Sequence, residues 1–130
     1  MTDAPLGLSI FDYDLDGQLD LLLRNYRQPA QLLRNRGGPE HWIEVKLVGT
    51  RSNRDAVGAR VRLRTAGGSQ TRQVSAGSGY VSAQSLVQHF GLGAETHATV
   101  EVAWPSGAHT APSDLEANRR HTIVESATAP

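Results

Sequence analysis

Cysteine is absent from all 130 residues, which excludes disulfides, thiol chemistry and cysteine-based zinc sites while leaving the redox compartment open. Net charge is absent as well. Thirteen Lys and Arg balance 13 Asp and Glu, so no global field recruits nucleic acid or an anionic membrane, and such a partner needs a local patch. No run approaches the roughly 20 apolar residues that span a bilayer, and "MTDAPLGLSIFDYD" has neither the basic start nor the apolar stretch of a signal peptide. The five histidines, at 41, 89, 97, 109 and 121, are scattered, with no HExxH pair and no G-x-S-x-G elbow. The expectation is therefore a protein that is not an enzyme. Helical periodicity is scarce too: only "SDLEANRR", residues 113–120, predicts a helical turn, with Ser113 as N-cap and Glu116 at capping-box spacing.

What is present is period-two alternation. In "HWIEVKLVG", Ile43, Val45 and Leu47 share one face and Glu44 and Lys46 the other; in "ARVRLRTA", Ala59, Val61 and Leu63 point one way and Arg60, Arg62 and Arg64 the other. After Gly67-Gly68, "SQTRQVSA" predicts the returning strand of a hairpin, and "VEVAW" and "HTIVE" add two more. "AGSGY", "GLGA" and "WPSG" supply turns between them. The fold class expected is all-β: an antiparallel β-sandwich or curved, barrel-like module with one solvated face per sheet. The length allows one such domain and a short appendage. The boundary falls at "RNRGGPE", giving residues 1–37, residues 40–125 and a frayed tail at 126–130. In the first segment "LDLLLRNY" and "QLLRNRGG" predict two short strands, too few to stand alone.

Four aspartates crowd into nine positions of "FDYDLDGQLDLLL", as Asp12-x-Asp14-x-Asp16-Gly17-x-x-Asp20. Carboxylates at this spacing repel unless a cation or basic groups neutralise them. Alternate side chains converge when the backbone curls around an ion, and glycine at the sixth position permits the curl. Asp12, Asp14, Asp16 and Asp20 are expected to give carboxylate oxygens and Gln18 its backbone carbonyl. Hard oxygen donors in a flexible shell favour Ca²⁺. Leu23 stands where a bidentate Glu would close an EF-hand, so a strand rather than a helix follows, and the affinity expected is about 10⁻⁴ to 10⁻³ M. An acidic surface turn is the alternative.

Three further groups offer recognition chemistry. Asn53, Arg54 and Asp55 form a polar loop whose first expectation is structural, with ligand binding second. Tyr80, flanked by Ser78, Ser82 and Gln84, has the vocabulary of sugar recognition, although packing is the commoner use of such a ring. Arg60, Arg62 and Arg64 project from one strand, with Arg72 on its hairpin partner. This row suits a sulfated glycan or nucleic acid, or is a solvated face paired with Glu44 and Glu101.

The loop with its following strands, "FDYDLDGQLDLLLRNY" and "QLLRNRGG", resembles the end of an FG-GAP (VCBS-type) propeller repeat. "HWIEVKLVGTRSNRDAVGARVRL", "GSGYVSAQSLVQHFGLG" and "VEVAWPSG" resemble the ASPIC/UnbV domain of cartilage-acidic-protein-like proteins, over about residues 40 to 125. The resemblance implies a β-sandwich-like, non-catalytic module beside a calcium-binding propeller, extracellular or periplasmic in its parent, with a protein or glycan as partner. It also implies that propeller blades of a longer parent are missing from this chain. Where the family loop commonly has Gly or Asn, this chain has Leu15, whose side chain resists positive φ. Because related domains occur beside secondary-metabolism genes, a small hydrolase or biosynthetic accessory enzyme using Ser78, His89 and Asp55 is the alternative from a different class.

Overall fold

Alternating residues that are buried on one side and charged on the other leave a strand two ways to satisfy its backbone, and both are used here. In the computed structural model, which describes residues 5–77 and 83–127, ten strands form three sheets, and there is no helix among the described residues. None is therefore long and apolar enough to cross a membrane as a helix. The chain divides into two compact units, residues 1–38 with 76–85, and residues 39–75 with 86–130.

The first unit is an antiparallel sheet in the order β1 (Pro5–Phe11), β2 (Asp20–Asn25), β3 (Gln31–Leu33). The β1 strand was not expected from the sequence, because "PLGLSIF" opens on Pro and Gly and alternates poorly. Its edge is completed by a side chain: Gln84 accepts from the Ile10 N–H at 2.8 Å and donates to the Leu8 carbonyl at 3.0 Å, as a neighbouring strand would. Gln84 thus acts as a backbone clip. The fully or nearly buried groups of this unit are polar, namely Asp12, Asp20 and Asn25, while Leu8, Ile10, Leu32 and Leu33 remain exposed. Its interior is organised by carboxylates and not by apolar side chains.

The second unit is a sandwich of two sheets, β10 (Arg119–Val124), β4 (His41–Val48), β7 (Gln88–Gly93), and β6 (Gly68–Gln73), β5 (Arg60–Thr65), β8 (His97–Ala103), β9 (His109–Glu116). No barrel closes. Ile43, Val45 and Leu47 meet Phe90 and Leu92 of the first sheet and Val61, Leu63, Val100 and Val102 of the second in one core. The inward positions expected from the alternation are the ones buried.

Three expectations are corrected. Residues 113–120 form no helical turn: Ser113 to Glu116 lie in β9, paired with β8, and Asn118 turns the chain with φ of 61°. Sheet pairing there satisfies backbone groups that a single helical turn would leave open, and tertiary context overrides a local capping signal. The sandwich is not purely antiparallel, because β10 runs parallel to β4. Finally, three residues of the expected turn "GLGA", Gly91 to Gly93, belong to strand β7, with Gly91 exposed between buried Phe90 and Leu92 and Gly93 exposed at the strand end.

Two residues of β9, Ala111 and Pro112, stand opposite the single residue Glu101 of β8, since Val100 pairs with Ser113 and Val102 with Thr110. This bulge on an edge strand accommodates a proline that has no N–H for the ladder. Across the bulge, the Trp104 indole donates to the Thr110 hydroxyl at 2.8 Å.

Candidate functional site

The acidic loop connects β1 to β2, and its backbone curls around its own first aspartate. Asp12 accepts from the Asp16 N–H at 3.1 Å and the Gly17 N–H at 2.7 Å. The turn needs Gly17 at φ of 89°. Asp20, wholly buried, accepts from the Tyr13 N–H at 3.2 Å and the Asn35 N–H at 2.7 Å. One carboxylate oxygen each from Asp12, Asp14 and Asp20 lie within 4.8 Å of one another.

The donor set fits a hard cation. Each carboxylate oxygen has a lone pair beyond the one used by a backbone N–H, and three anionic oxygens at this separation match the oxygen-rich shell that calcium takes. Asp16 is placed otherwise: it accepts from the Gln18 N–H at 2.8 Å, and its carboxylate is not among the converging three. Leu15 adopts φ of 61° after all, with its side chain 69% exposed. A left-handed Leu costs roughly 1–2 kcal/mol, partly offset by the greater unfolded-state freedom of a glycine. Leu15→Gly is therefore expected to raise stability by about 0.5–1 kcal/mol and the melting temperature by about 2–4 °C, measured by thermal unfolding.

Sequence reasoning missed the second half of this site. Pairing of Leu33 with Leu21 sets the residues after β3 beside Asp20, so the segment read as a domain boundary folds back over the loop. Arg34 reaches Asp14 at 2.9 Å and Asp16 at 3.5 Å. Asp14 foremost, with Tyr13 and Asp16, raises its guanidinium pKa above the ordinary value. Gly37 lies so close to Gln18 that a Cβ would sit 2.7 Å from its Cγ. The signal that could have found Arg34 is the like-charge problem itself: a basic residue just past a short strand is a natural internal counter-ion.

The other candidates are dispersed. In the polar loop, Asn53 donates to the Val57 carbonyl at 2.9 Å and accepts its N–H at 2.8 Å, which is the structural role expected of the loop. Arg54 contributes through its backbone, its carbonyl accepting from the Gly49 N–H at 3.0 Å. Tyr80, Ser78 and Ser82 lie outside the described residues. Arg60, Arg62 and Arg64 do share the outer face of β5. Arg72 is not with them, because it pairs with Val61 and lies over the Phe90 ring at 5.3 Å. Glu101 joins the row through Arg64 at 2.8 Å and Arg62 at 3.6 Å, whereas Glu44, only 5% exposed, pairs with Arg120 at 2.8 Å in the other sheet. His89 stacks on Trp42 with centroids 6.1 Å apart.

A group absent from the sequence-based candidates is the most strongly built in the sandwich. Glu125, 2% exposed, accepts from the successive N–H groups of Thr50, Arg51 and Ser52 and from the hydroxyls of Ser52 and Ser106. Consecutive backbone donors of this kind form an anion-binding nest. Burial pushes the carboxyl up, but hydrogen bonds from Ser106, Ser52 and Thr50 outweigh it and hold the pKa at about 2. Gly49 enters the nest so closely that a Cβ would lie 2.0 Å from the Asn53 carbonyl oxygen.

The sequence matches the family described as ASPIC and UnbV over residues 49–130, well over half of the chain. The chain belongs to the ASPIC and UnbV family. The match begins at Gly49, beside the nest, and includes Glu125 and six of the seven sandwich strands in full, β5 to β10. The acidic loop lies before the matched segment. Curated relatives include Cartilage acidic protein 1 of Mus musculus and of Homo sapiens, each 40% identical over 106 residues, and that of Xenopus tropicalis, 36% identical over 106 residues. In each case the alignment covers 78% of this chain and 16% of the relative. This ASPIC and UnbV chain therefore spans about a sixth of the length of those relatives.

Proposed function

We propose that this chain is a non-catalytic, calcium-binding β module, the C-terminal part of a longer extracellular or cell-surface recognition protein whose partner is a protein or a glycan. The observation that carries the calcium reading is the convergence of Asp12, Asp14 and Asp20 oxygens within 4.8 Å. Asp12, Asp14 and Asp20 would hold the ion, which would neutralise charge that Arg34 now partly balances. The exposed apolar residues of the first unit support a place in a longer array, as the FG-GAP resemblance implies. None of the three relatives is named for a reaction, and four of the five histidines have structural contacts: His41 with Asn118, His89 with Trp42, His97 with Asp114, His121 with the Glu116 carbonyl. This favours recognition over the hydrolase alternative.

The test is thermal unfolding in 2 mM calcium against excess chelator, with calcium titration calorimetry. With free calcium near twenty times Kd, a site confined to the native state adds about 2 kcal/mol, a midpoint shift of about 6–8 °C for this size. No shift and no heat would reduce the loop to an acidic turn closed by Arg34.

A further inference from the structure

The outer face of the four-stranded sheet carries a depression of about 630 Å³, within the range of small-ligand sites. Its floor and sides follow from register. Arg60 pairs with Ala103, and Ala103 with His109, so the three side chains form one row across β5, β8 and β9. Neighbouring strands lie about 4.8 Å apart, which places Arg60 and His109 about 10 Å from each other with only a methyl group between them. Thr71 of the adjoining row and Ser69 bring hydroxyls from β6, and the bulge at Ala111 and Pro112 raises an apolar wall on the opposite side.

The charges in this depression are unequal. Arg62 and Arg64 share the single carboxylate of Glu101, whereas neither Arg60 nor His109 has an ion-pair or hydrogen-bond partner among the described residues. Arg60 and Arg62 line the depression with Glu101, whose carboxylate is shared with Arg64 beyond it. An unpaired guanidinium binds a planar or tetrahedral oxyanion through two parallel N–H donors, and an imidazole across the floor can donate a third.

We propose that this depression binds the sulfate or carboxylate group of an acidic saccharide, with Arg60 and His109 on the oxyanion, Ser69 and Thr71 on ring hydroxyls, and Pro112 against a ring face. The inference rests on the recognition reading above but not on the calcium loop. Nucleic acid is a poorer fit, because no Phe, Tyr or Trp lines the depression for bases to stack on and the positive patch is one pocket wide.

The experiment is an amide NMR titration of the full chain, in calcium and in chelator, with a heparin-derived tetrasaccharide, a hyaluronan tetrasaccharide, inorganic sulfate and an oligothymidylate. Saturable shifts centred on Ala103, His109 and Thr71 are expected with a saccharide, and whichever one binds tighter tells sulfate from carboxylate. Arg60→Gln should weaken that affinity at least tenfold with an unchanged melting temperature, while Arg119→Gln, which removes the same charge from the other sheet, should change it less than twofold. Equal weakening by both variants, no shift at these three residues, or binding of inorganic sulfate or oligothymidylate as tight as that of the saccharide would overturn the proposal. Saccharide binding without any calcium response would leave the pocket standing and remove the calcium reading; the reverse result would remove the pocket alone.

Discussion

Glu125→Ala is expected to lower the melting temperature by on the order of 10 °C or more, the largest effect among the single substitutions considered. The variant removes one side chain but strands the three N–H donors of Thr50, Arg51 and Ser52 around an empty anion site. Buried donors left without partners are costlier than a hydrogen bond lost with both of its groups. It also removes the acceptor of the Ser106 hydroxyl, leaving the Ser106 N–H to the Ser52 hydroxyl as the remaining tie of the 105–107 turn to this nest. Glu125→Gln should fall between the variant and the parent, since its amide keeps one acceptor for the N–H groups and can donate to the two serine hydroxyls, which are free to turn. Differential scanning calorimetry of the two variants measures the order. An Ala variant as stable as the parent would show that the nest is satisfied by water.

The same carboxylate sets a pH signature. Its folded pKa, about 2, lies below the ordinary value of 4.5. A depressed folded pKa contributes stability that is fully present above the unfolded pKa and is lost as pH falls through the folded one. The parent should therefore lose stability between about pH 4.5 and 2, and Glu125→Gln should show a shallower loss over that window. Parallel pH profiles for parent and Gln variant would show that this carboxylate does not carry the effect.

Asp20→Asn is expected to abolish the calcium-induced midpoint shift and, in chelator, to destabilise by about 1–3 kcal/mol. Asp20 is fully buried and accepts one N–H on each oxygen, from Tyr13 and Asn35. An asparagine of the same shape presents one amide N–H₂ to a backbone N–H, so a donor faces a donor with no water to relieve it. Asp14→Asn separates the two consequences. Asp14 is exposed and its named partner is Arg34, so this variant should lose calcium response with a stability change in chelator of about 0.5 kcal/mol or less. Should both variants retain the parent's calcium heat, the carboxylate assignment would be wrong; an unchanged chelator midpoint for Asp20→Asn alone would mean the loop is not held by that residue.

Between them these variants probe the two places where a carboxylate organises backbone, and the two were unequally visible beforehand. The aspartate loop announces itself because its four aspartates are two or four residues apart, and a short-range pattern is a sequence property. Arg34 and the Asn35 N–H belong to the same site but arrive through the β2–β3 register. The Glu125 nest brings together residues 73 to 75 positions apart, and no local pattern marks it.

The amino-acid sequence by itself determined the class of fold, because alternation of Ile43, Val45 and Leu47, and of Val61 and Leu63, has only one economical solution, a sheet with one buried face. It likewise determined which side of β5 the arginines occupy, since the pleat sends Arg60, Arg62 and Arg64 opposite to the core residues. Tertiary structure decided which strands became neighbours, and with that everything that depends on charge pairing. Glu101 neutralises Arg62 and Arg64 because β8 lies beside β5, Glu44 is claimed by Arg120 because β10 lies parallel to β4, and Arg60 is left facing Ala103 and His109. Strand order sets these outcomes through contacts between residues far apart in the chain, and electrostatic interactions act only at the distances that folding creates.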